Sequence, residues 1–386
     1  MKAGWQKRKL REVCELINGR AYSKPELLPK GKYPVLRVGN FFTNDHWYYS
    51  DLELEESKYC DTGDLLYAWS ASFGPRMWTG GKVIFHYHIW KVVHDPLRID
   101  QKFLFHFFLW DTEQVKADRG AGTTMIHVSK GSMDERDILL PPLPEQHRIV
   151  AILDEAFDGI ATAKANAEKN LQNARALFES HLESVLRSKA WTWKTLGDLC
   201  DGVEYGSSAK SQKEGRVPVL RMGNIQDGQF DWGNLVYSDD EDEIAKYLLK
   251  PNDVLFNRTN SPELVGKTAI YKGEMPAIFA GYLIRIRRKE DLLDGDFLSY
   301  FLNSQIALDH GKTVVISSVN QANINGAKLK GYPIPAPSLQ DQRIIVKKLN
   351  GMREETQRLA SLYQRKLAAL DELKRSLLHQ AFSGAL

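Results

Sequence analysis

The sequence predicts an α+β protein in which a globular domain followed by a long helix occurs twice. Two observations predict this. Several segments recur in the same order along the chain, and each copy ends in a long proline-free amphipathic stretch. A length of 386 residues accommodates two such copies, each large enough to bury its own core.

The internal repeat consists of collinear matches whose offset changes slowly. YPVLRVGN at 33–40 recurs as VPVLRMGN at 217–224, a shift of 184, and PPLPEQHRIV at 141–150 recurs as PSLQDQRIIV at 337–346, a shift of 196. Ordered matches of this kind indicate duplication, so both halves are expected to share one fold. The remaining matches pair Trp5, Leu10 and Cys14 with Trp191, Leu196 and Cys200, 63–67 with 252–256, and 100–104 with 294–298.

The first part of each copy is predicted to be a compact α+β domain, at 1–144 and at 189–340. Short β-type runs, at 34–38, 65–69 and 83–93 in the first copy, are separated by Gly, Asn, Asp and Pro. A helical stretch follows at 100–110.

The second part of each copy is predicted to be one long helix, at 145–188 and at 341–386. Prolines precede both stretches and none lies within them, which is typical of a helix start. A heptad pattern of apolar residues runs along both, with alanines in the first where the second has large side chains, so we expect the two helices to pack on each other as a coiled coil. The alternative is two separate surface helices, each lying on its own domain. The predicted seam comprises Ile149, Leu153, Ile160, Leu177, Ile345, Leu349, Met352, Leu359, Leu370, Leu373 and Leu377.

Both helices interrupt this seam with a polar residue at the same repeat position, Asn170 and Lys366. A buried polar group there could fix the register of the pair. The alternative is that both positions face solvent.

Composition excludes several classes of protein. The chain has 43% apolar and 26% charged residues, as folded proteins do, and no run of eighteen apolar residues. The N-terminus lacks a signal peptide, and three cysteines without a Cys-x-x-Cys pair fit a reducing compartment. We therefore expect a cytoplasmic protein with no membrane contact.

Catalytic and cofactor motifs are missing from the sequence. Gly-Lys-Thr occurs at 266–268 and 311–313, but the upstream glycine of a phosphate loop is replaced by Ser261 and Ile306. His86 and His88 would share one strand face and could hold a metal, but without a recognisable third ligand they are better explained by packing or surface roles. No catalytic residue and no metal site is predicted.

Arginine, asparagine and aromatic residues near the repeated segments suit DNA. Arginine reads guanine and asparagine reads adenine in the major groove, although a strand-end Arg-x-Gly-Asn is more often a structural turn that the domain fold requires. Residues that differ between the halves, such as 47–49 and 321–325, are the better candidates for reading two different sequences. The DNA-binding candidates are Arg20, Tyr22, Lys24, Arg37, Asn40, Trp47, Tyr48, Trp69, Ser70, Ser72, Arg76, Tyr205, Ser207, Ser208, Lys210, Arg221, Asn224, Arg258, Thr259, Asn260, Lys267, Asn320 and Gln321.

The whole chain resembles the specificity (S) subunit of type I restriction-modification systems. The resemblance rests on Trp5, Leu10 and Cys14 with their copies, DLLY at 64–67 with DVLF at 253–256, PPLPEQHRIV at 141–150, and the C-terminal LLHQAFSG at 377–384. One departure is SLQDQ at 338–342, where the first copy has PLPEQ.

The resemblance implies that 1–144 and 189–340 are target-recognition domains at opposite ends of an antiparallel helix pair with pseudo-twofold symmetry. Each would read one half of a bipartite asymmetric site in double-stranded DNA. The helices would set the spacing and dock two methyltransferase subunits, which carry S-adenosylmethionine. Restriction subunits would bring ATP and Mg. The chain itself would be a non-catalytic subunit without a cofactor.

Charge is nearly balanced in both predicted α+β domains. The net charge is +3, with 20 basic and 18 acidic residues in 1–144, and 18 and 19 in 188–340. We therefore expect the isolated chain to bind DNA weakly. Two alternatives belong to other classes: a structural coiled-coil adaptor with two protein-binding domains, and a stand-alone DNA methyltransferase or nuclease.

Overall fold

The computed structural model describes residues 4–42, 45–70, 73–119, 128–187, 191–318 and 321–386. The chain forms two compact units: unit 1 comprises Met1–Glu168 with Gln364–Leu386, and unit 2 comprises Lys169–Tyr363. No helix in the described ranges is both long and apolar enough to cross a membrane.

Unit 1 is a mixed α and β structure built on two four-stranded sheets. One sheet has the order β2-β9-β6-β7 and is antiparallel, and the other has the order β4-β3-β8-β5 with β3 and β8 parallel. A short antiparallel pair, β1 with β10, closes the unit. The elements are β1 (Gln6–Lys9), β2 (Cys14–Asn18), β3 (Tyr33–Leu36), α1 (Val38–Phe42), β4 (Tyr48–Ser50), β5 (Tyr59–Cys60), β6 (Leu65–Ala68), β7 (Gly74–Met77), β8 (Val83–Phe85), β9 (Ile89–His94), α2 (Gln101–Arg119), α3 (Lys130–Asp134), β10 (Asp137–Leu140) and α4 (Leu143–Leu186).

Unit 2 repeats this arrangement. Its four-stranded sheet has the order β12-β21-β17-β19, and its second sheet, β16-β13-β20, again contains a parallel pair, β13 with β20. The internal duplication and the α+β class predicted from the sequence are therefore confirmed. The elements are β11 (Trp193–Thr195), β12 (Cys200–Tyr205), β13 (Val217–Leu220), β14 (Ile225–Gln226), β15 (Gln229–Phe230), β16 (Val236–Ser238), α5 (Glu241–Tyr247), β17 (Val254–Asn257), β18 (Thr259–Asn260), β19 (Thr268–Ile270), β20 (Ile278–Phe279), β21 (Leu283–Arg288), α6 (Gly295–Leu302), α7 (Gln305–Val314), β22 (Ile316–Ser318), β23 (Gln321–Asn323), α8 (Gly326–Lys330), β24 (Pro333–Pro335) and α9 (Leu339–Ser383).

Two of the predicted strand runs end differently in the structure. The run 83–93 is not one strand, because a turn at 86–88 separates β8 from β9. His86 and His88 therefore do not share a strand face as predicted. The run 34–38 ends at Leu36, and Val38 begins the short helix α1 instead.

Both long helices begin two residues before the predicted starts. In α4 the early start is possible because Pro144 lies in the first turn. A backbone N–H in this turn has no intrahelical acceptor, so a proline there costs no hydrogen bond. In α9 the side chain of Ser338 caps the helix: its Oγ accepts from the backbone N–H of Asp341 at 3.2 Å and donates to the Asp341 carboxylate at 2.6 Å.

A fully buried glutamine at the start of each long helix joins that helix to its domain. In unit 1, Gln146 Oε1 accepts from the backbone N–H of Asp100 at 2.8 Å, and its Nε2 donates to the carbonyls of Arg98 and Pro141. Asp100 is also the residue whose carboxylate caps α2, through the N–H of Phe103. The glutamine thus connects the start of α2, the preceding turn and the start of α4.

Unit 2 contains the same glutamine bridge. Gln342 accepts from the backbone N–H of Asp294 at 2.8 Å and donates to the carbonyls of Leu292 and Pro337 at 2.8 and 2.9 Å. Each glutamine is the last residue of the duplicated PLPEQ and SLQDQ segments, so this repeated pattern carries the bridge in both units.

Within each unit the two long helices run antiparallel. In unit 1, Lys164 pairs with Asp371 at 2.8 Å and the Phe157 ring lies under Lys374, so rising numbers on α4 meet falling numbers on α9. Ile149 and Leu153 share a buried cluster with Leu378, Ala381 and Phe382, so the end of the chain completes the core of unit 1. In unit 2, Leu182 and Leu186 are buried together with Ile345 and Leu349.

The residues of the predicted seam are buried in the first turns of both long helices, whereas two of them farther along are exposed. Leu177 is 57% exposed and Leu373 is 47% exposed, whereas the next residues, Phe178 and Lys374, contact the partner segments of their own units. An α-helix has 3.6 residues per turn and drifts away from a strict 3.5-residue repeat, so the buried stripe moves over by one position. Met352, Leu359, Leu370 and Leu377 are half-buried.

The polar residues at the shared repeat position lie outside the buried stripe. Asn170 and Lys366 are both exposed. The hypothesis that a buried polar pair fixes the register is therefore wrong, and the solvent-facing alternative is observed.

The junction between α2 and α4 in unit 1 contains a buried histidine. His106, with a side chain only 3% exposed, contacts Asp154 Oδ1 through Nε2 at 2.8 Å, and Lys102 donates to Oδ2 of the same carboxylate at 2.6 Å. At the equivalent place in unit 2, the Tyr300 hydroxyl donates to Asn350 at 2.6 Å. One copy therefore uses ionisable groups where the other uses a neutral pair.

Burial dominates the protonation of this histidine. It lowers the pKa of His106 below the usual value, and the hydrogen bond to Asp154 opposes this only in part, while Lys102 and Lys374 lower it further. For Asp154, burial would raise the pKa, but the hydrogen bonds from Lys102 and His106 outweigh it and the pKa is lowered.

We expect Gln146→Leu to lower the free energy of unfolding of unit 1 by about 2–4 kcal/mol, because one backbone N–H and two backbone carbonyls lose the partner that the buried amide provides. Hydrogen exchange of α2 and of the first turns of α4 measures this, with unit 2 as internal reference. The matched control is Gln364→Leu on the exposed surface of α9 in the same unit. Unchanged protection of α2 in Gln146→Leu would contradict the bridging role.

We expect acid to weaken the α2–α4 junction of unit 1 but not its counterpart in unit 2. An unfolded histidine binds a proton near pH 6.5, whereas His106 binds it only at lower pH. Protonation therefore favours the unfolded state, so stability is retained above about pH 6.5 and falls as the pH drops below that value.

The measurement is hydrogen-exchange protection of α2, corrected for intrinsic rates, between about pH 7 and pH 5. The control is the double variant His106→Tyr with Asp154→Asn, which copies the Tyr300–Asn350 pair and should show no such loss. An equal loss in both proteins would rule out His106 as the cause.

Candidate functional site

In unit 1, several candidate side chains gather at one end of the sheet β2-β9-β6-β7. Arg20 follows β2 and forms a β-bridge with His86, and Trp69 follows β6. The Tyr22 and His86 rings stack at 6.3 Å, and the Trp69 and His88 rings meet edge to face at 4.9 Å. The sheet thus brings together residues far apart in sequence.

The charges at this end of unit 1 are largely compensated. Arg20 donates to Glu26 at 2.6 Å, and this hydrogen bond lowers the pKa of Glu26 to about 2. Burial, with His88 and Arg37 nearby, lowers the pKa of His86 to about 4, so the imidazole is neutral at physiological pH. The surface is therefore aromatic and nearly uncharged.

In unit 2, the equivalent end of β12-β21-β17-β19 has a different composition. Tyr205 and Ser207 lie at the end of β12, and Arg258 and Thr259 follow β17. The Arg258 guanidinium lies over the Tyr205 ring at 4.9 Å, and the Asn323 amide donates to the Thr259 hydroxyl at 2.8 Å. This end has a half-buried cation and an amide near its surface, whereas Ser207 and Thr259 with their hydroxyls are buried.

The backbone at these two ends is the same. Arg20 N–H donates to Phe85 O at 3.0 Å and Ser207 N–H donates to Phe279 O at 2.8 Å. The residues before them, Gly19 and Gly206, approach those carbonyls so closely that a Cβ would lie 2.2 Å away, which explains the glycine in both copies. We name these ends tip 1 (Arg20, Trp69 and 86–88) and tip 2 (Ser207, Arg258 and 280–282).

A second group of candidates in unit 2 surrounds a concave cavity of about 420 Å³. Arg221, Asn260 and Lys267 line it together with Asn224. Arg221 donates to the Asn234 carbonyl at 2.8 Å and Lys267 contacts the Gln226 side chain at 3.4 Å. These long side chains are held by single contacts at the rim of the cavity.

Asn224 has a structural role. It is 3% exposed, its Oδ1 accepts from the N–H of Arg221, and its Nδ2 donates to the carbonyls of Asp231 and Gly233. Its counterpart Asn40 donates to the His46 carbonyl at 2.7 Å. Of the two interpretations of the repeated Arg-x-Gly-Asn, the local geometry of Asn224 supports the structural turn.

The remaining candidates are scattered over the two units. In unit 1, Arg37 lies over the Tyr48 ring, Trp47 contacts Trp78, Arg76 donates to the Phe41 carbonyl, and Lys24 is exposed. Ser70 is buried, while Ser208 and Lys210 of unit 2 are exposed. Ser72 and Asn320 lie outside the described residues, and of Gln321 only its place in β23 is described.

Two residue groups at the tips were missed as DNA-binding candidates. The turn at 86–88 was considered only as a metal site, and 280–282 was not considered at all. The sequence contains a signal for both, because VIF-HYH at 83–88 corresponds to AIF-AGY at 277–282, a variable triplet after a repeated one.

Among the described residues, no group of three or more His, Cys, Asp or Glu side chains is placed to hold a metal ion.

Two copies of one backbone frame, each ending in a tip of different chemistry, define a protein with two recognition units. A family model described as "Type I restriction modification DNA specificity domain" matches residues 2–172 and 188–363. The chain belongs to this family and contains its domain twice.

Known relatives agree with this assignment. The chain is 24% identical to the type I restriction enzyme EcoKI specificity subunit of Escherichia coli K12, covering 99% of this chain and 89% of that one. It is 29% identical to a putative type I restriction enzyme MjaX specificity subunit of Methanocaldococcus jannaschii over 50% of this chain, and it spans less than half of that relative.

A solved structure concerned with complex assembly of the type I R-M system shares the fold. The TM-score is 0.80 at 21% identity, covering 100% of this chain and 99% of that one. The predicted arrangement of two similar α+β domains with two long helices therefore occurs in a solved protein.

We expect Asn224→Ala to loosen the segment 221–234 by about 1–3 kcal/mol, because a buried side chain loses its bonds to three backbone groups. Hydrogen exchange of that segment measures the effect. The control, Gln229→Ala, removes an exposed amide from the same segment and should change little. Unaltered exchange in Asn224→Ala would show that the amide does not hold this turn.

Proposed function

We propose that this chain is the non-catalytic DNA-specificity subunit of a type I restriction-modification complex, in which each unit reads one half of a bipartite asymmetric site. The observation that carries the proposal is the pair of tips, which have equivalent backbones but different side chains. A shared frame gives both units the same mode of approach to DNA, and different side chains give each its own sequence.

The long helices support the spacing and docking parts of the proposal. Each contributes one end to unit 1 and the other to unit 2, so a change in the helices would change the separation of the two half-sites. Apolar side chains remain exposed on them: Leu177, Ile344 and Leu362 in unit 2 and Leu373 in unit 1 are each between 47% and 57% exposed. Exposed aliphatic residues on a helix face suit a protein partner, which we take to be the methyltransferase subunits.

The tips also support weak DNA binding by the chain alone. Arg20 is paired with Glu26, His86 is neutral, and Arg258 lies half-buried against Tyr205. The tips themselves therefore offer few free cations to neutralise phosphates, and we expect most of the affinity to come from the assembled complex.

We expect the chain expressed with its methyltransferase partner to direct methylation to a motif of two defined parts separated by unspecified bases. Mapping the methylated positions across a genome measures this. Replacing residues 1–140 with the corresponding domain of another specificity subunit should change one part of the motif and leave the other. Methylation without a two-part motif, or an unchanged motif after the exchange, would overturn the proposal in favour of an adaptor.

A further inference from the structure

Each tip is closed by a three-residue turn with the same backbone hydrogen bonds in both units. The turn 86–88 joins β8 to β9, and the turn 280–282 joins β20 to β21. Tyr87 N–H donates to Arg20 O at 3.1 Å, and Gly281 N–H donates to Ser207 O at 2.7 Å. Trp69 and Arg258 each donate their backbone N–H at 3.0 Å, to His88 O and Tyr282 O.

Trp69 in unit 1 and Arg258 in unit 2 have different side chains but make the same kind of hydrogen bond to these turns. Trp69 Nε1 donates to the Tyr87 carbonyl at 2.8 Å, and Arg258 Nη1 donates to the Gly281 carbonyl at 3.2 Å. An indole and a guanidinium thus fix the carbonyl at the centre of each turn. Both of these hydrogen bonds are made to the backbone of the turn, so they do not require particular side chains in the turn.

The side chains of the two turns differ in size and polarity. In tip 1, Tyr87 is 38% exposed and its ring lies 4.5 Å from that of His86 and 3.9 Å from that of His88, so three rings form one surface. In tip 2, Ala280 and Gly281 offer almost no side chain, and Tyr282 is 50% exposed. Tip 1 therefore presents three rings, and tip 2 presents Tyr282 as the one exposed side chain of its turn.

We propose that these two turns are specificity-determining elements, 86–88 for one DNA half-site and 281–282 for the other, with Trp69 and Arg258 as positioning residues. This inference rests on the proposed function. The ring surface of tip 1, with its neutral imidazole, suits hydrogen bonding to a base edge and apolar contact with a thymine methyl group. In tip 2, the exposed Tyr282 ring and the neighbouring Arg258 guanidinium are the groups that meet a base edge.

The test uses the complete complex of this chain with its methyltransferase partner, and it measures the methylated motif and the rate at each site. Tyr87→Gly copies tip 2, and Tyr282→His copies tip 1. Both residues are exposed, so neither substitution opens a core cavity. We expect each variant to relax one half of the motif, to lower the rate at the original sites by about tenfold or more, and to leave the other half unchanged.

Trp69→Phe tests the positioning role, since it keeps an aromatic ring but removes the Nε1 donor. It should relax the same half of the motif as Tyr87→Gly, a change of sequence preference that a loss of folded protein alone would not produce. The control is Leu97→Ala: Leu97 is 82% exposed and follows the opposite end of β9, roughly 20 Å along that strand from tip 1. It should change neither motif nor rate.

The outcomes separate this inference from the proposed function. If the wild-type complex writes a two-part motif and both turn variants keep it at the original rate, the turns are not specificity elements but the proposed function stands. A rate that falls equally at all sites with the motif intact would assign the turns to folding and overturn the inference. A wild-type complex without a two-part motif would overturn both.

Discussion

The buried glutamine at the root of each long helix is the contact on which the rest of the structure depends. Gln146 and Gln342 each join the N-terminal residue of a domain helix, the turn before it and the first turn of the long helix. An amide is suited to this place because it is uncharged and both donates and accepts. The direction in which each long helix leaves its domain is therefore fixed by these hydrogen bonds together with the apolar packing of its first turns, such as Ile149 in unit 1 and Ile345 in unit 2.

Duplication has preserved the backbone and allowed the side chains to diverge at two kinds of place. At the helix junction, His106 with Asp154 corresponds to Tyr300 with Asn350, so the same contact is ionisable in one unit and neutral in the other. At the tips, Trp69 and Arg258 hold equivalent carbonyls with different groups. Fixed geometry with variable chemistry is what a protein needs to present two different recognition surfaces on one architecture.

The local sequence pattern predicted the long helices but not which of their residues pack together. Prolines and periodicity located α4 and α9 to within two residues at their starts, yet Leu177 and Leu373 were placed in the seam and are exposed. For the site, residue type led to Arg20, Trp69, Ser207 and Arg258, which the structure gathers at the two tips. It also led to Asn224, whose amide makes its hydrogen bonds to the backbone of its own turn. Contacts between residues distant in sequence decided the composition of the tips, whereas Asn224 is held by residues within nine positions of it.

By itself, the sequence determined the duplication, the α+β class, the two long helices and the family, because these are written as repeated segments, periodicity and proline placement. Only the tertiary structure decided that the turns 86–88 and 280–282 close the tips, that His106 is buried against Asp154, and that the last residues of α9 complete the core of unit 1. The physical reason is that a side chain's role follows from which strand ends and helix faces meet in space. Those meetings join residues separated by tens to hundreds of positions in the chain.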